Sequence, residues 1–490
     1  MMQRQIRRVG ITLLIAFLAV FAQLNYIQIF AARDIASNPA NIRALLREYS
    51  IKRGDILTRD GTQIATSTAT NDRLKYLREY PEGELFGHLT GFYSVLYGRD
   101  RAESAYNDEL LGDVGVLSMQ DIRDRLFDSG EQGDDVVLTL NSQLQKVARE
   151  ALGDNRGSVV ALDPSTGAVK AMWSNPSYDP GPLADHNTKK ERKYWRSLKP
   201  RSRTSPLIPL ATSRVYPPGS TFKVVSTIAA LESGKYKPDS TFPDPDEIEL
   251  PLTDNTLTNF TRTSCTGGPE IDLFTALEIS CDTTYGLIGL EIPDQVRETA
   301  EAFGFNERLP FDLTNAVSVF PEIPDEEEPL RAYAGIGQGD VSASPLQMAL
   351  VAAGVANDGT LMEPRLVHQI IDPSGGVVRE SRPQEMSTPM SRSTARTVRD
   401  MMVAVVESGT GTNAQIPGIQ VAGKTGTSQT AEGADPHAWF IAFAPAEDPE
   451  IAVAVIVENG GSVGSEATGG ALAAPIAKRL IEADRQISNW

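Results

Sequence analysis

An almost unbroken apolar run near the N-terminus constrains the fold of this 490-residue chain more than any other feature. The run extends from Val9 to Ala22 and continues, less cleanly, to Phe30. A helix of about 20 apolar residues spans the ~30 Å hydrocarbon core of a bilayer. Arginines before such a helix favour a cytoplasmic N-terminus. The pattern predicts a cytoplasmic tail over residues 1–8, a transmembrane helix over residues 9–30, and an extracytoplasmic chain after residue 32.

A cleaved signal peptide is the alternative interpretation, because the cleanest part of the run is short. Ala31 and Ala32 offer only a weak small-residue cleavage site, so we favour a retained anchor. No second run of about 18 apolar residues occurs, which predicts a single membrane crossing.

Charge and cysteine content bound the partners and the redox state. A net charge of −18 argues against nucleic acid as a partner, because phosphate binding needs clustered lysines and arginines. Cys265 and Cys281 are the only cysteines. An oxidising compartment permits a disulfide, but the sequence alone leaves a disulfide and two buried cysteines both open. The predicted location outside the cytoplasm leads us to predict the disulfide.

Residues 31–134 contain turn signals and short apolar pieces but no catalytic constellation. The turns at 53–55 and 59–61 flank a short predicted strand, Ile56-Leu57. We interpret this region as a small mixed pedestal domain. From residue 135 the pattern predicts, in order, a strand at 136–140, a helix capped by Ser142 that ends near Leu152, and a hairpin of strands 158–162 and 168–173.

Helical periodicity then dominates residues 223–365, for example over 341–356. Later segments predict strands at 420–426, 437–444 and 451–457, and a helix at 471–485. Strands at both ends of this region enclose a helical middle. The economical fold is a central antiparallel sheet covered by helices, with an all-helical lobe. The chain is therefore predicted to be α+β and multidomain: a transmembrane helix, a pedestal domain over 31–134, and a larger domain over 135–490.

Ser220 is the first candidate for chemistry. It follows Pro217-Pro218-Gly219 and precedes an apolar helix, so it lies near a helix N-terminus, where negative charge is favoured. Lys223 shares its helical face. A buried lysine has a lowered pKa and can activate a serine hydroxyl as its base. The alternative is an N-cap serine beside a surface lysine.

Two further short motifs follow along the chain. Ser280-Cys281-Asp282 is uninformative alone, since a serine and an aspartate often end a helix. Lys424 lies between Gly423 and Thr425-Gly426-Thr427 after a strand-like segment. Glycines in a strand indicate close approach of another group, and a lysine on an inner edge strand would hold a carboxylate. The alternative is a hairpin turn with an exposed lysine.

Together, S-x-x-K at 220, S-x-D at 280 and K-T-G at 424 resemble the motif set of penicillin-recognising serine enzymes. Residues 135–490 resemble the transpeptidase domain of penicillin-binding proteins. In the front half, residues 53–61 are similar to the pedestal motif of class B members. The hundred or so residues between the anchor and this domain are too few for the glycosyltransferase domain of bifunctional members, which also indicates class B. Supporting matches to the family, including its actinobacterial PbpA-type subgroup, lie at 38–50, 53–61, 74–81, 90–94, 157–164, 216–223, 335–339, 344–349 and 438–445.

The resemblance implies a peptidoglycan D,D-transpeptidase that forms a serine acyl-enzyme, is acylated by β-lactams, and needs no cofactor or metal. It implies stem peptides ending in D-Ala-D-Ala as substrate, with a membrane glycan polymerase of the SEDS family as partner. The residues and roles implied are Ser220 as nucleophile, Lys223 as base, Ser280 as proton relay, and Asp282, Lys424, Thr425, Gly426 and Thr427 in substrate binding, with the backbone N–H groups of Ser220 and Thr427 as the oxyanion hole.

Asp282 departs from the family, which usually has Asn at this position. Asn donates a hydrogen bond that an ionised Asp cannot, and a carboxylate beside Lys223 would raise the pKa of that lysine. Asp282 is therefore protonated, or pairs with Lys223 or Lys424, or slows the site. The competing functions are a D,D-carboxypeptidase or serine β-lactamase with the same motifs, and a catalytically weak scaffold for cell-wall synthases.

Overall fold

The computed structural model describes residues 2–26, 46–112, 132–428 and 434–490. Helix α1, Met2–Tyr26, starts earlier than the predicted transmembrane helix, because Met, Gln and Arg are good helix formers and extend the apolar segment backwards. Its segment Arg7–Tyr26, with a mean hydropathy of 1.9, is long and apolar enough to cross a membrane. The predicted remainder, residues 27–30, lies outside the described residues.

The pedestal region is built from short elements around one mixed sheet. Its elements are β1 (Ile56–Leu57), β2 (Gln63–Ala69), β3 (Tyr76–Glu79), α2 (Gly87–Thr90), β4 (Tyr93–Ser94), β5 (Gly98–Arg99), α3 (Arg101–Ala105), α4 (Asn107–Leu110) and β6 (Asp135–Leu138). Strand β6 runs parallel to β1 and joins this sheet rather than the central sheet of the larger domain. The reason is physical: β1 has two residues and needs a neighbour on each side to satisfy its backbone.

A buried charge network holds the pedestal elements together. Glu103 of α3 is fully buried and accepts hydrogen bonds from Arg53 and Arg78, each at 2.6 Å. The network contains two positive charges and one negative charge. Burial acts to raise the pKa of Glu103, but the two arginines outweigh it, and the pKa of Glu103 is lowered. Buried charges of this kind are tolerated only when paired and hydrogen-bonded.

The larger region contains the central sheet and the helices that cover it. The elements up to the lobe are α5 (Ser142–Leu152), β7 (Gly157–Leu162), β8 (Val169–Asn175), α6 (Thr188–Ser197) and α7 (Leu210–Ser213). Those of the lobe are α8 (Lys223–Glu232), β9 (Thr241–Pro243), β10 (Glu247–Glu249), β11 (Thr256–Thr258), β12 (Glu270–Asp272), α9 (Leu273–Glu278), α10 (Asp282–Glu291), α11 (Pro293–Ala302) and α12 (Pro329–Gly335).

The remaining elements include the last strands of the pedestal sheet and of the central sheet, together with the helices around them. They are α13 (Pro345–Ala356), β13 (Leu361–Met362), β14 (Val367–Ile371), β15 (Val377–Glu380), β16 (Glu385–Ser387), α14 (Arg392–Glu407), β17 (Ala422–Ser428), β18 (His437–Ala444), β19 (Ile451–Val457) and α15 (Ala474–Ser488). The pedestal sheet has the order β15-β14-β6-β1-β2-β3, and the central sheet has the order β17-β18-β19-β7-β8.

The central sheet is antiparallel throughout and buried on both faces, as predicted. Every residue of β18 and β19 is buried, which explains their continuous apolar sequences. Helix α13 packs on one face, while α5 and α15 pack together on the other. Strand β17 forms one edge of this sheet, and the lobe adjoins that edge.

Several details differ from the sequence predictions. The strand predicted at 420–426 is Ala422–Ser428, and the helix predicted at 471–485 is Ala474–Ser488. The lobe is mainly helical, but it also contains two two-stranded sheets, β10-β11 and β12-β9, whose three-residue strands are too short to show a period. Helix α5 ends at Leu152 as predicted, but Ser142 is its first residue and its cap is Asn141, whose side chain accepts hydrogen bonds from the backbone N–H groups of Gln143 and Leu144.

Candidate active site

Ser220 lies in a tight turn, Gly219–Phe222, directly before α8. The turn packs against β17 through glycine backbone. Gly219 has φ of +53°, and a Cβ there would come 2.7 Å from the carbonyl oxygen of Thr427. A Cβ on Gly426 would come 2.9 Å from the carbonyl oxygen of Pro218. The two glycines thus let the serine turn and the edge strand approach closely, as the K-T-G pattern predicted.

Lys223, one helical turn later, is fully buried. Its Nζ donates to the carbonyl oxygen of Ser280 at 2.8 Å and forms an ion pair with Asp282 Oδ1 at 2.7 Å. The hydroxyl of Ser280 lies 3.3 Å from the same Nζ. Within the described part of the chain, the Ser220 hydroxyl makes no hydrogen bond, so Lys223 is turned towards Ser280 and Asp282 here. Catalytic hydrogen bonds are often loose without substrate.

Ser280 occupies the left-handed position of a helix C-terminal cap. The N–H of Cys281 donates to the carbonyl of Ala276, and the N–H of Ser280 donates to that of Leu277. This is the Schellman pattern, in which glycine is usual at the left-handed residue. Ser280 adopts it with φ of +66°. A non-glycine residue held there stores strain of the kind found at functional sites, and the turn aims both oxygens of Ser280 at lysines.

The loop before this motif holds Asp282 in place. Asn259 is buried, and its Oδ1 accepts hydrogen bonds from the backbone N–H groups of Asp282 and Thr283, at 3.1 and 3.0 Å. The backbone N–H of Phe260 donates to Asp282 Oδ2 at 3.2 Å. The predicted disulfide is present and joins Cys265 of the same loop to Cys281. The loop is thereby fixed to the S-x-D motif both covalently and by hydrogen bonds.

Lys424 lies on β17 and is fully buried, so the alternative of an exposed turn lysine is wrong. Its Nζ donates to Ser280 Oγ at 2.8 Å and to the carbonyl oxygen of Thr425 at 3.2 Å. The hydroxyl of Thr425 is hydrogen-bonded to that of Thr410 at 2.6 Å. Ser280 Oγ therefore lies between the two lysines and links the three motifs.

The electrostatics of the cluster follow from burial. Desolvation lowers the pKa of Lys223, and the charge and hydrogen bond of Asp282 oppose that shift without cancelling it. The expectation that Asp282 pairs with Lys223 and raises the pKa of that lysine is confirmed, although burial outweighs this effect and the net pKa is lowered. Burial also lowers the pKa of Lys424 well below its usual value, and the nearby Lys223 charge lowers it further.

The predicted residues come together with one exception: Lys223 contacts Ser280 and Asp282 but makes no hydrogen bond to Ser220. Asn259 was not predicted as part of the site, because a single asparagine in a loop gives no sign that it caps a helix more than twenty residues away. Tyr285 was not predicted either; its ring lies 5.4 Å from Lys223 Nζ and stabilises a cation there. Helical spacing from Asp282 could have placed this ring near the site.

Comparison with known proteins gives the same pattern over the whole chain. Residues 157–482 match the family described as penicillin binding protein transpeptidase domain, and residues 53–136 match the penicillin binding protein A dimerisation domain. The chain is 40% identical to the peptidoglycan D,D-transpeptidase PbpA of Mycolicibacterium smegmatis, over 98% of this chain and 99% of that one. It is 37% identical to PbpA of Mycobacterium tuberculosis, over 99% of each chain.

Solved structures of penicillin-binding proteins show the same similarity in three dimensions. The ceftriaxone acyl-enzyme complex of penicillin-binding protein A from M. tuberculosis superposes with a TM-score of 0.85 at 37% identity, covering 89% of this chain and 99% of that chain. Its imipenem acyl-enzyme complex has a TM-score of 0.84 with the same identity and coverage. The three motifs, the buried lysine pair that they bring together and these full-length similarities show that the chain belongs to the penicillin-binding protein transpeptidase family.

Proposed function

We propose that this chain is a peptidoglycan D,D-transpeptidase that acts through a serine acyl-enzyme and is acylated by β-lactams. The observation that carries the proposal is the contact of Ser280 Oγ with Lys223 and Lys424, beside the Ser220 turn at the sheet edge. The relatives named as D,D-transpeptidases, and the acyl-enzyme structures of one of them, support it. We further propose the domain division 31–134 and 135–490, in which β6, β14 and β15 of the second segment complete the pedestal sheet.

In this proposal Ser220 Oγ attacks the carbonyl carbon of the penultimate D-Ala of a stem peptide, and its proton passes to the amine of Lys223. The backbone N–H groups of Ser220 and Thr427 stabilise the oxyanion, the charge that exists only in the transition state. The terminal D-Ala leaves with a proton relayed through Ser280, and an acyl-enzyme remains. An amine of a second stem peptide then attacks the ester and restores the serine.

Lys424 and the residues after it are suited to the other end of the substrate. The Lys424 ammonium is a buried donor on an edge strand, and a charged donor makes a strong hydrogen bond to a carboxylate. Thr425 and Thr427, on the same strand, add hydroxyl groups as further donors. Gly426 leaves room for the serine turn beside that strand. We therefore assign recognition of the terminal carboxylate to residues 424–427, with Asp282 at the opposite side of Ser280.

Helix α1 supports anchoring in the cell membrane. We propose a single-pass topology with a cytoplasmic N-terminus, because arginines precede the apolar segment, and a catalytic region outside the cytoplasm, consistent with the disulfide. A membrane glycan polymerase of the SEDS family is the proposed partner, by resemblance to class B proteins.

Intact-protein mass spectrometry after penicillin exposure tests the catalytic proposal. We expect one stable adduct, mapped to Ser220. The Ser220→Ala variant should lose the adduct, while Ser213→Ala, a serine on the preceding helix, should keep it. A stable adduct on Ser220→Ala would refute the nucleophile assignment. No adduct on the wild type would favour the scaffold, and turnover of nitrocefin many times per second would favour a β-lactamase.

A further inference from the structure

A strongly basic surface lies outside the active site, on an otherwise acidic protein. Helix α6 and the loop after it carry eight lysines and arginines between Lys189 and Arg203, against a single carboxylate, Glu191. All eight basic side chains are exposed. Among the described residues, their only ion pair joins Lys190 to Asp185 at 3.5 Å. We call these eight residues the basic surface.

The segregation of charge on α6 is built by its contacts. Glu191 is buried and accepts hydrogen bonds from the hydroxyl of Ser94 and the backbone N–H of Leu96. Trp195, four residues later on the same helical face, stacks on Tyr97 with ring centroids 4.3 Å apart. The acidic and aromatic positions therefore bind the pedestal, and the remaining positions of the helix present only positive charge.

The basic surface is tied to the first described residues after the membrane helix. The ring of Tyr49 lies 6.1 Å from His186, just before α6, and His186 is hydrogen-bonded to Asp72 at 2.6 Å. Residues 27–45 connect α1 to this segment, and a chain of that length reaches at most about 70 Å. This connection keeps Tyr49, and the basic surface beside it, within reach of the membrane that α1 enters.

From this arrangement we propose that the basic surface binds the anionic phospholipid headgroups of the membrane in which α1 is anchored. Clusters of four to eight lysines and arginines beside the cytoplasmic leaflet bind anionic lipids, and the same electrostatic attraction acts at any anionic membrane surface. The rest of this protein is strongly acidic and is repelled by such a surface, so attraction at one place also orients the molecule. The effect is independent of the proposed catalysis.

The test uses the full-length protein in lipid nanodiscs made of phosphatidylcholine alone or with about 30% phosphatidylglycerol. An amine-reactive ester labels lysines, and mass spectrometry gives the rate at each one. We expect Lys189, Lys190, Lys193 and Lys199 to react about fivefold more slowly in the anionic discs. The difference should vanish near 1 M NaCl, where the Debye length falls to about 3 Å. Lys235, on the lobe, should react equally in all conditions.

A pair of matched triple variants isolates the charge. Replacing Arg192, Arg196 and Arg201 with Gln keeps all four lysine reporters and should abolish most of the protection. Replacing three exposed arginines of other elements with Gln, at positions 382, 392 and 485, should leave the protection intact. An unchanged labelling rate at Lys235 and an unchanged unfolding temperature show that each variant is folded.

Three outcomes overturn the proposal. The first is equal labelling of the four lysines in both kinds of disc. The second is equal protection in both, which indicates burial that does not depend on lipid charge. The third is protection that arises only when a soluble glycerol-phosphate polymer is added to phosphatidylcholine discs, because the surface then binds a wall-type polyanion instead. The wild-type comparison of lipids and salt decides the matter even if a variant fails to fold.

Discussion

Replacing Asp282 with Asn removes the carboxylate that holds Lys223. Asp282 Oδ1 lies 2.7 Å from Lys223 Nζ, and the asparagine amide has nearly the same shape without the charge. Burial lowers the pKa of Lys223, and Asp282 is the group that opposes this shift. With the carboxylate gone, the pKa of Lys223 falls further, so a larger fraction of the lysine is a free amine near neutral pH.

The distance and exposure of the pair set the expected size. Two unit charges about 3 Å apart interact by roughly 1.4 kcal/mol in water and about 5.5 kcal/mol at an effective dielectric of 20. The Lys223 side chain is buried and that of Asp282 is only 16% exposed, so the value in water is the lower limit for this pair. That lower limit corresponds to about one pKa unit. We expect the second-order acylation rate of Asp282→Asn to rise by at least about tenfold near neutral pH.

Stopped-flow acylation by a fluorescent penicillin, from about pH 5 to 9, measures the effect. The rising limb of the variant's profile should lie at least about one unit lower than that of the wild type. Asp246→Asn is the matched control, since it removes a charge from the neighbouring loop without touching Lys223. An unchanged rate and profile in Asp282→Asn would refute the ion-pair reasoning and indicate a protonated Asp282 that imitates asparagine.

Three other substitutions test the supports of the site and the fold by chemical denaturation. Asn259→Ala leaves the N-terminus of α10 uncapped and should cost about 1–2 kcal/mol, and a variant as stable as the wild type would contradict the capping role. Glu103→Gln leaves two buried arginines without their carboxylate and should lower the free energy of unfolding by about 3–5 kcal/mol. A variant whose stability equals that of the wild type would contradict the role of this ion-pair network. His88 is buried, and its burial lowers its pKa to about 4. As the pH falls from about 6.5 to 4, this histidine gains a proton only in the unfolded chain, so the free energy of unfolding of the wild type should fall by about 3 kcal/mol over that range. The His88→Gln variant should lack this component, and an identical pH dependence would show that His88 does not titrate as described.

Sequence periodicity predicted the central sheet well, because its strands are buried on both faces. Strands 437–444 and 451–457 have the predicted bounds, since an uninterrupted apolar run ends where burial ends. Helix α5 also lies close to its predicted bounds, because an amphipathic stripe marks its length, although its cap is Asn141 and not Ser142. The lobe's three-residue strands were not predicted, because their pairing depends on partners brought close by the helices around them.

The candidate site was predictable as a set of residues but not as a network. Motif order brought together the three segments that contain Ser220, Ser280 and Lys424. Nothing in the sequence shows that the Lys223 ammonium pairs with Asp282. That pairing depends on how deeply the two side chains are buried and on the left-handed backbone of Ser280. The capping of α10 by Asn259 was not predictable either, because the two are more than twenty residues apart in the chain and the contact produces no periodic sequence pattern.

The charge balance of the cluster indicates how a family member can tolerate a carboxylate beside its base. Ser280 Oγ lies 2.8 Å from Lys424 Nζ and 3.3 Å from Lys223 Nζ, and it has one proton, so it can accept from one ammonium while donating to a neutral amine at the other. The two lysines disfavour each other's charge. A proton on Lys424 therefore favours the neutral form of Lys223, and a proton on Lys223 favours the neutral form of Lys424, because such coupling is reciprocal. Lys223 is thus most available as a base for Ser220 when the positive charge of the lysine pair resides on Lys424, even with Asp282 beside Lys223.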